Sequence, residues 1–122
     1  MAAEDGLVGW TVEDFETDGG ERPVRSFIDG LVGRDLSEAI ALVKLVEDRG
    51  NRLRAPHSKA LGGGLFELRG KQVRIFYVFG RGRRVILLSG IVKKRGEIPA
   101  RALARARRIQ ADWERRERGK RA

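Results

Sequence analysis

Apolar and polar positions divide this chain into short segments of two periods. Trp10 and Val12 alternate with polar neighbours and Phe15 follows, which predicts a first strand over about Leu7 to Phe15. Asp18-Gly19-Gly20 ends it. Pro23 then suits the first turn of a helix, where its missing N–H costs nothing. Val24, Phe27, Ile28 and Leu31 follow at helical spacing, up to a stop near Gly33. A second helix carries Leu36, Ala39, Ile40, Leu42, Val43 and Val46, with Asp35 and Glu38 in capping-box spacing and Gly50 as its stop.

From Asn51 to Gly64, Pro56 and the run Gly62-Gly63-Gly64 predict a loop. Three strands follow, over about Leu65 to Arg69, Gln72 to Phe79 and Arg84 to Val92, joined by short turns as an antiparallel meander. A last helix starts at Glu97 to Pro99, with Ala100, Leu103, Ala104 and Ile109 apolar and many arginines between them. Beyond Trp113 the basic tail, about residues 114–122, is expected to fray. The order strand, helix, helix, three strands, helix predicts a single α+β domain over residues 1–122, its helices on one side of the sheet.

Parity along the strands sorts the charges. Phe66 and Leu68 share one face of the first meander strand, and Leu65, Glu67 and Arg69 the other. In the second, Val73, Ile75, Tyr77 and Phe79 form an apolar face for the helical hairpin, leaving Arg74, Phe76 and Val78 opposite. If that opposite face is open, Arg69 and Arg74 stand beside an exposed aromatic, a combination that grips phosphate and stacks a base. The third strand delivers Lys93-Lys94-Arg95 at its end, and Lys59 can reach the same rim from the loop. Plainer roles remain open: an ion pair of Arg69 with Glu67, a solvated Arg74, edge-blunting lysines, Phe76 and Tyr77 in the core, His57 a bystander.

Charge narrows the partners. The formal net charge of +9 favours a polyanion such as RNA, DNA or a ribosome, although an acidic protein would also satisfy it. With 41% hydrophobic residues the chain is too apolar to be disordered. The lack of cysteine excludes disulfides and cysteine-based zinc sites, and permits a reducing cytoplasm. No apolar run nears the roughly 20 residues that span a bilayer, so the expectation is a cytoplasmic protein without membrane contact.

Several of these elements occur together in one order. They are Lys59-Ala60-Leu61, Gly64-Leu65-Phe66-Glu67-Leu68-Arg69, Arg74-Ile75-Phe76-Tyr77, the apolar strand ending in Lys93-Lys94, Pro99, and an Ala- and Arg-rich helix from Ala102 to Arg108. In this the chain resembles the RelE/HigB superfamily of toxin–antitoxin toxins, in particular its phage-derived HigB-like branch. The resemblance implies a RelE-like fold and a ribosome-dependent mRNA endonuclease that uses the RNA's own 2′-hydroxyl, with no metal or cofactor. It implies as partners a cognate helix-turn-helix antitoxin (HigA-like), the ribosome and mRNA, with operator DNA reached only through the antitoxin. Carried onto this chain, Lys59, Arg69, Arg74, Lys93 and Lys94 are the candidate catalytic cations, and His57, Phe76, Tyr77 and Arg95 the RNA-binding residues.

That chemistry needs cations for the developing phosphorane charge and groups that move protons. Arginine suits the first task because it stays protonated and binds phosphate oxygens in a fork. Crowding by other cations makes a lysine release its proton more readily, so Lys59, Lys93 or Lys94 is a candidate acid or base. Two features depart from the family pattern. Ser89-Gly90-Ile91-Val92 stands where an aromatic usually precedes Lys-Lys, and no histidine follows His57. The alternatives are a non-catalytic RNA- or DNA-binding module, and a degenerate toxin acting with its antitoxin as a transcriptional co-regulator.

Overall fold

The computed structural model describes residues 9–93 and 96–121. Strand β1 (Thr11–Asp14) is followed by helices α1 (Pro23–Asp29) and α2 (Gly33–Arg49). Four strands come next, β2 (Ser58–Gly62), β3 (Leu65–Arg69), β4 (Val73–Gly80) and β5 (Arg84–Val92), and then helix α3 (Ala100–Arg121). One sheet forms in the order β1-β5-β4-β3-β2. The meander β3–β4–β5 is antiparallel as expected, while β1 joins β5 in parallel. The helical pair carries the chain from β1 to β2 at the opposite edge, and the antiparallel strands β2 to β5 then bring it back beside β1 in the parallel sense.

One strand went unread in the sequence. Ser58–Gly62 pairs antiparallel with β3, with a register shift at the glycine end. The glycines there form the β2–β3 turn: Gly62, Gly63 and Gly64 all have positive φ. The polar, glycine-rich composition concealed a sheet edge that buries little.

Both faces of the sheet are covered, which corrects the expectation that the helices lie on one side. On the hairpin side, Val24 of α1 and Ala39, Leu42 and Val46 of α2 pack on Leu68, Val73, Ile75, Tyr77, Val85 and Leu87. Trp10 joins this core, its indole lying over Gly50, where an added Cβ would fall 2.0 Å from the ring. On the opposite side Phe15, Leu65, Phe76, Val78, Ile86 and Leu88 meet Ala106 of α3. Leu103, Ile109 and Trp113 extend that contact. Residues 103, 106, 109 and 113 form an i, i+3, i+6, i+10 stripe. The sequence shows Leu103 and Ile109 among the helix's apolar positions, but the arginines between them hide which face of the sheet it covers.

The tail predicted to fray continues α3 to Arg121. Tertiary contacts account for much of this. Arg116 donates to the Glu16 carbonyl at 2.7 Å, pairs with Asp18 at 2.9 Å and lies 4.6 Å from the Phe15 ring centroid. Glu117 accepts from Arg84 at 3.0 Å, and Arg84 also reaches Glu13 of β1 at 2.7 Å. At the other end of the helix's contact, Arg107 donates to the carbonyls of Leu61 and Gly62, both at 2.8 Å, and Gln110 to that of Gly63 at 2.7 Å. These bonds fix the β2–β3 turn, and with it the strand that carries Lys59.

Candidate functional site

Pairing register gathers charge where β2, β3 and β4 meet. Lys59 lies opposite Glu67, and Arg69 opposite Arg74. All four share the face that carries Leu65 and Phe76, since strand residues alternate. Glu67 is the centre of the cluster and is only 2% exposed. Its Oε2 lies 3.1 Å from Nε of Arg74, and its Oε1 lies 3.6 Å from Nε of Arg69. Arg74 is buried as well, its side chain 7% exposed, and it donates to the Gly70 carbonyl at 2.6 Å. Arg69 is different: its side chain is 38% exposed, and Lys59 on the edge strand is exposed too.

Burial pushes the Glu67 carboxyl above the usual carboxylate range, although Arg69, Arg74 and Lys59 all pull it down. The carboxylate thus faces three cations, two of them open to solvent. An arrangement of this kind has spare positive charge on the outside and a fixed anchor within. It can hold an anion with several oxygens, such as a phosphodiester, on Arg69 and Lys59.

The other sequence candidates separate. Phe76 is fully buried between Glu67 and Ser89 in the register, so it cannot serve as a stacking platform. The face read as open is occupied by α3. Tyr77 is 1% exposed on the hairpin side, and its hydroxyl is 2.7 Å from Ser58 Oγ. Both aromatics are therefore core residues rather than RNA contacts. Lys93 is half-buried just past β5, where its N–H donates to the Gln72 carbonyl, and it is not among the cations acting on Glu67. Lys94 and Arg95 lie outside the described residues. His57 is exposed beside the cluster, and its carbonyl accepts the Arg69 N–H at 2.9 Å.

Two carboxylates matter more than the sequence suggested. Glu67 stood there as a counter-charge, and its parity with Arg69 was the available signal. Glu38 was read as a capping partner of Asp35, but α2 starts at Gly33 behind Val32 with no side-chain cap. Instead Glu38 reaches the β3–β4 turn, accepting the N–H groups of Lys71 (2.6 Å), Gln72 (2.9 Å) and Val73 (2.7 Å). No local pattern announces a contact across so many residues. Burial raises the Glu38 carboxyl, but these three backbone bonds outweigh it and the net shift is downward.

A lowered carboxylate pKa contributes stability that is present above the unfolded value, about 4.3, and is lost as pH falls through the folded one. Glu38→Gln should therefore cost about 1–2 kcal/mol at pH 7 by weakening charge-assisted bonds. The gap to the parent protein should narrow only as pH falls below the usual carboxylate range and through the lowered folded value of Glu38, where the parent's own carboxylate is protonated. Urea unfolding of both proteins across pH 3–7 checks this; a gap independent of pH would refute the ionic role of Glu38.

Comparison with known proteins fits this geometry. The family model for phage-derived protein Gp49-like (DUF891) matches residues 26–111, from α1 into α3 and across all of β2 to β5. The chain belongs to the Gp49-like family. Its fold is also that of a chain in the crystal structure of the toxin–antitoxin complex RelBE2 from Mycobacterium tuberculosis. The match covers 70% of this protein and 100% of that chain, with 19% identity and a TM-score of 0.53. At that identity the likeness is one of fold, and it makes this Gp49-like protein RelE-like in architecture. No curated protein matches the chain. Among the described residues no cluster of three His, Asp or Glu side chains could hold a metal ion, and no helix is long and apolar enough to cross a membrane.

Proposed function

We propose that this Gp49-like protein is the toxin of a type II toxin–antitoxin pair, a metal-independent endoribonuclease that cleaves mRNA on the ribosome. The observation that carries the reading is the solvent-facing pair Lys59 and Arg69, with Arg69 held against the buried Glu67–Arg74 ion pair. The RelE-like sheet supports it by placing these cations on adjoining strands.

In this mechanism the 2′-hydroxyl gives up its proton to solvent water as its oxygen attacks the adjacent phosphorus and the bond to the 5′-oxygen breaks. The products are a 2′,3′-cyclic phosphate and a free 5′-hydroxyl. Arg69 binds the non-bridging oxygens, whose charge grows in the transition state. Lys59, exposed on the edge strand, is placed to share that charge and to give a proton to the leaving oxygen. Arg74 does not meet the RNA; it is a positioning residue that keeps Glu67, and through it Arg69, in place. The partner is a small helix-turn-helix antitoxin, whose acidic segments would neutralise the surplus charge at rest.

Expression of the chain alone is expected to arrest bacterial growth, with breaks inside translated codons. Primer extension on a reporter mRNA checks this, and the breaks should vanish when the ribosome-binding site is removed. Unbroken transcripts and normal growth, with the folded protein confirmed in the cells, would end the toxin reading.

A further inference from the structure

Beside the charge cluster, sharing Arg69 and Arg74 with it, lies a cleft of about 620 Å³. Its size falls within the range of about 300–1,000 Å³ typical of small-molecule sites. Helix α2 forms one wall, and the β3–β4 turn with the segment before β2 forms the other. The α2 wall is aliphatic, made of Ala41, Leu42 and Leu45, and Pro56 continues it. On the opposite side stand Arg69 and Lys71, with His57, an exposed residue, beside them. Glu38 also lines the cleft, but its carboxylate is committed to three backbone N–H groups and so does not define a site for a cation.

Such walls suit a ligand with a flat, weakly polar body joined to an anion. Arg69 connects the two regions, since it is a lining residue of the cleft and its side chain contacts Glu67. A phosphate held on Arg69 would leave the attached nucleoside close to the cleft mouth. The Arg69 N–H also donates to the His57 carbonyl, so the sheet keeps the two residues side by side.

We propose that this cleft receives one unstacked nucleobase of the RNA strand bound at Arg69, held between the His57 ring and the aliphatic face of α2. The proposal rests on the RNA-cleaving reading and adds to it a base-binding subsite. Stacking on a ring tolerates any base, while the shape of the cleft and the polar groups at its rim determine preference. Losing one stacked base should weaken binding by about 10- to 100-fold.

His57 is the only histidine of the chain, so its ring protons give an unambiguous NMR signal from the cleft. The probe is a 2′-O-methyl RNA trinucleotide, which cannot be cleaved because the attacking oxygen is blocked; the control carries the same phosphates without bases. The trinucleotide should move the His57 ring resonances upfield and saturably, and the abasic control should not. Ala41→Trp, at an exposed helix position, should plug the cleft, abolish that shift and weaken binding about 10- to 100-fold with an unchanged melting temperature. His57→Ala should weaken binding in the same direction. Equal shifts with the abasic control, or parent-like binding by both variants, would overturn the subsite. If those results came while translated mRNA was still cut, only the subsite would fall. Absence of both RNA binding and cleavage would remove the subsite together with the functional reading.

Discussion

Arg69→Ala is expected to lower cleavage of translated mRNA by about 100- to 1000-fold, the usual cost of deleting one preorganised group that stabilises transition-state charge. Its effect on folding should be small. The Arg69 side chain is 38% exposed and approaches Glu67 only to 3.6 Å. A long contact made from a partly exposed arginine contributes about 1 kcal/mol. Glu67 would also keep its closer partner, Arg74, at 3.1 Å. Arg69→Lys should recover part of the activity, because a lysine restores the charge but not the two-pronged grip on phosphate. The measurement is the rate of reporter cleavage on purified ribosomes, alongside urea unfolding of each variant. Near-normal cleavage by a folded Arg69→Ala protein would show that the phosphate is bound elsewhere.

Much of the fold was legible because it rests on local periodicity. The helical hairpin, the three-strand meander and the parity that sets Glu67, Arg69, Arg74 and Phe76 on one face all agree with the structure. Three features were not legible, each for a physical reason. Strand β2 is a weakly buried edge, so it lacks an apolar signature and is defined by pairing alone. The contact face of α3 is a narrow stripe among arginines, whose long aliphatic stems can lie along apolar surface while their charges reach solvent or backbone carbonyls. Glu38 acts on a turn distant in sequence, which local spacing cannot encode.

The reading of α3 changes the site more than it changes the fold. With the sheet covered on both faces, Phe76 passes from surface to core, and the solvent-facing cations of the Glu67 cluster, Lys59 and Arg69, lie on the two strands at the β2 side of the sheet. Cations at an edge can meet a strand of RNA without any opening of the core. The same covering turns Arg74 from a solvated side chain into half of a buried ion pair. Its role is thereby separated from that of Arg69, although the sequence presents the two as equivalent.

That separation sets the second large effect. Arg74→Ala is expected to destabilise the protein by up to about 3–5 kcal/mol at pH 7, because the buried Glu67 carboxylate loses its closest partner and keeps only the longer contact to the partly exposed Arg69. The Glu67 carboxyl is already raised by burial, so the group's contribution to stability is present at low pH and is lost as pH rises through its folded value. Without Arg74 that rise should steepen, since one of the cations pulling the carboxyl down is gone. The variant should therefore recover stability relative to the parent as pH is lowered from 7 to 5. Replacing both partners, Glu67→Leu with Arg74→Met, should restore much of the loss, since apolar side chains of similar volume need no compensation. It should not restore cleavage, because Arg69 would have lost the carboxylate that orients it. Urea unfolding at pH 5 and pH 7, with cleavage rates for the same set, tests both halves. If Arg74→Ala were as stable as the parent at pH 7, the buried pair would not be holding this part of the sheet. If the double variant cleaved at the parent's rate, Arg69 would need no anchor, and only its exposed charge would matter.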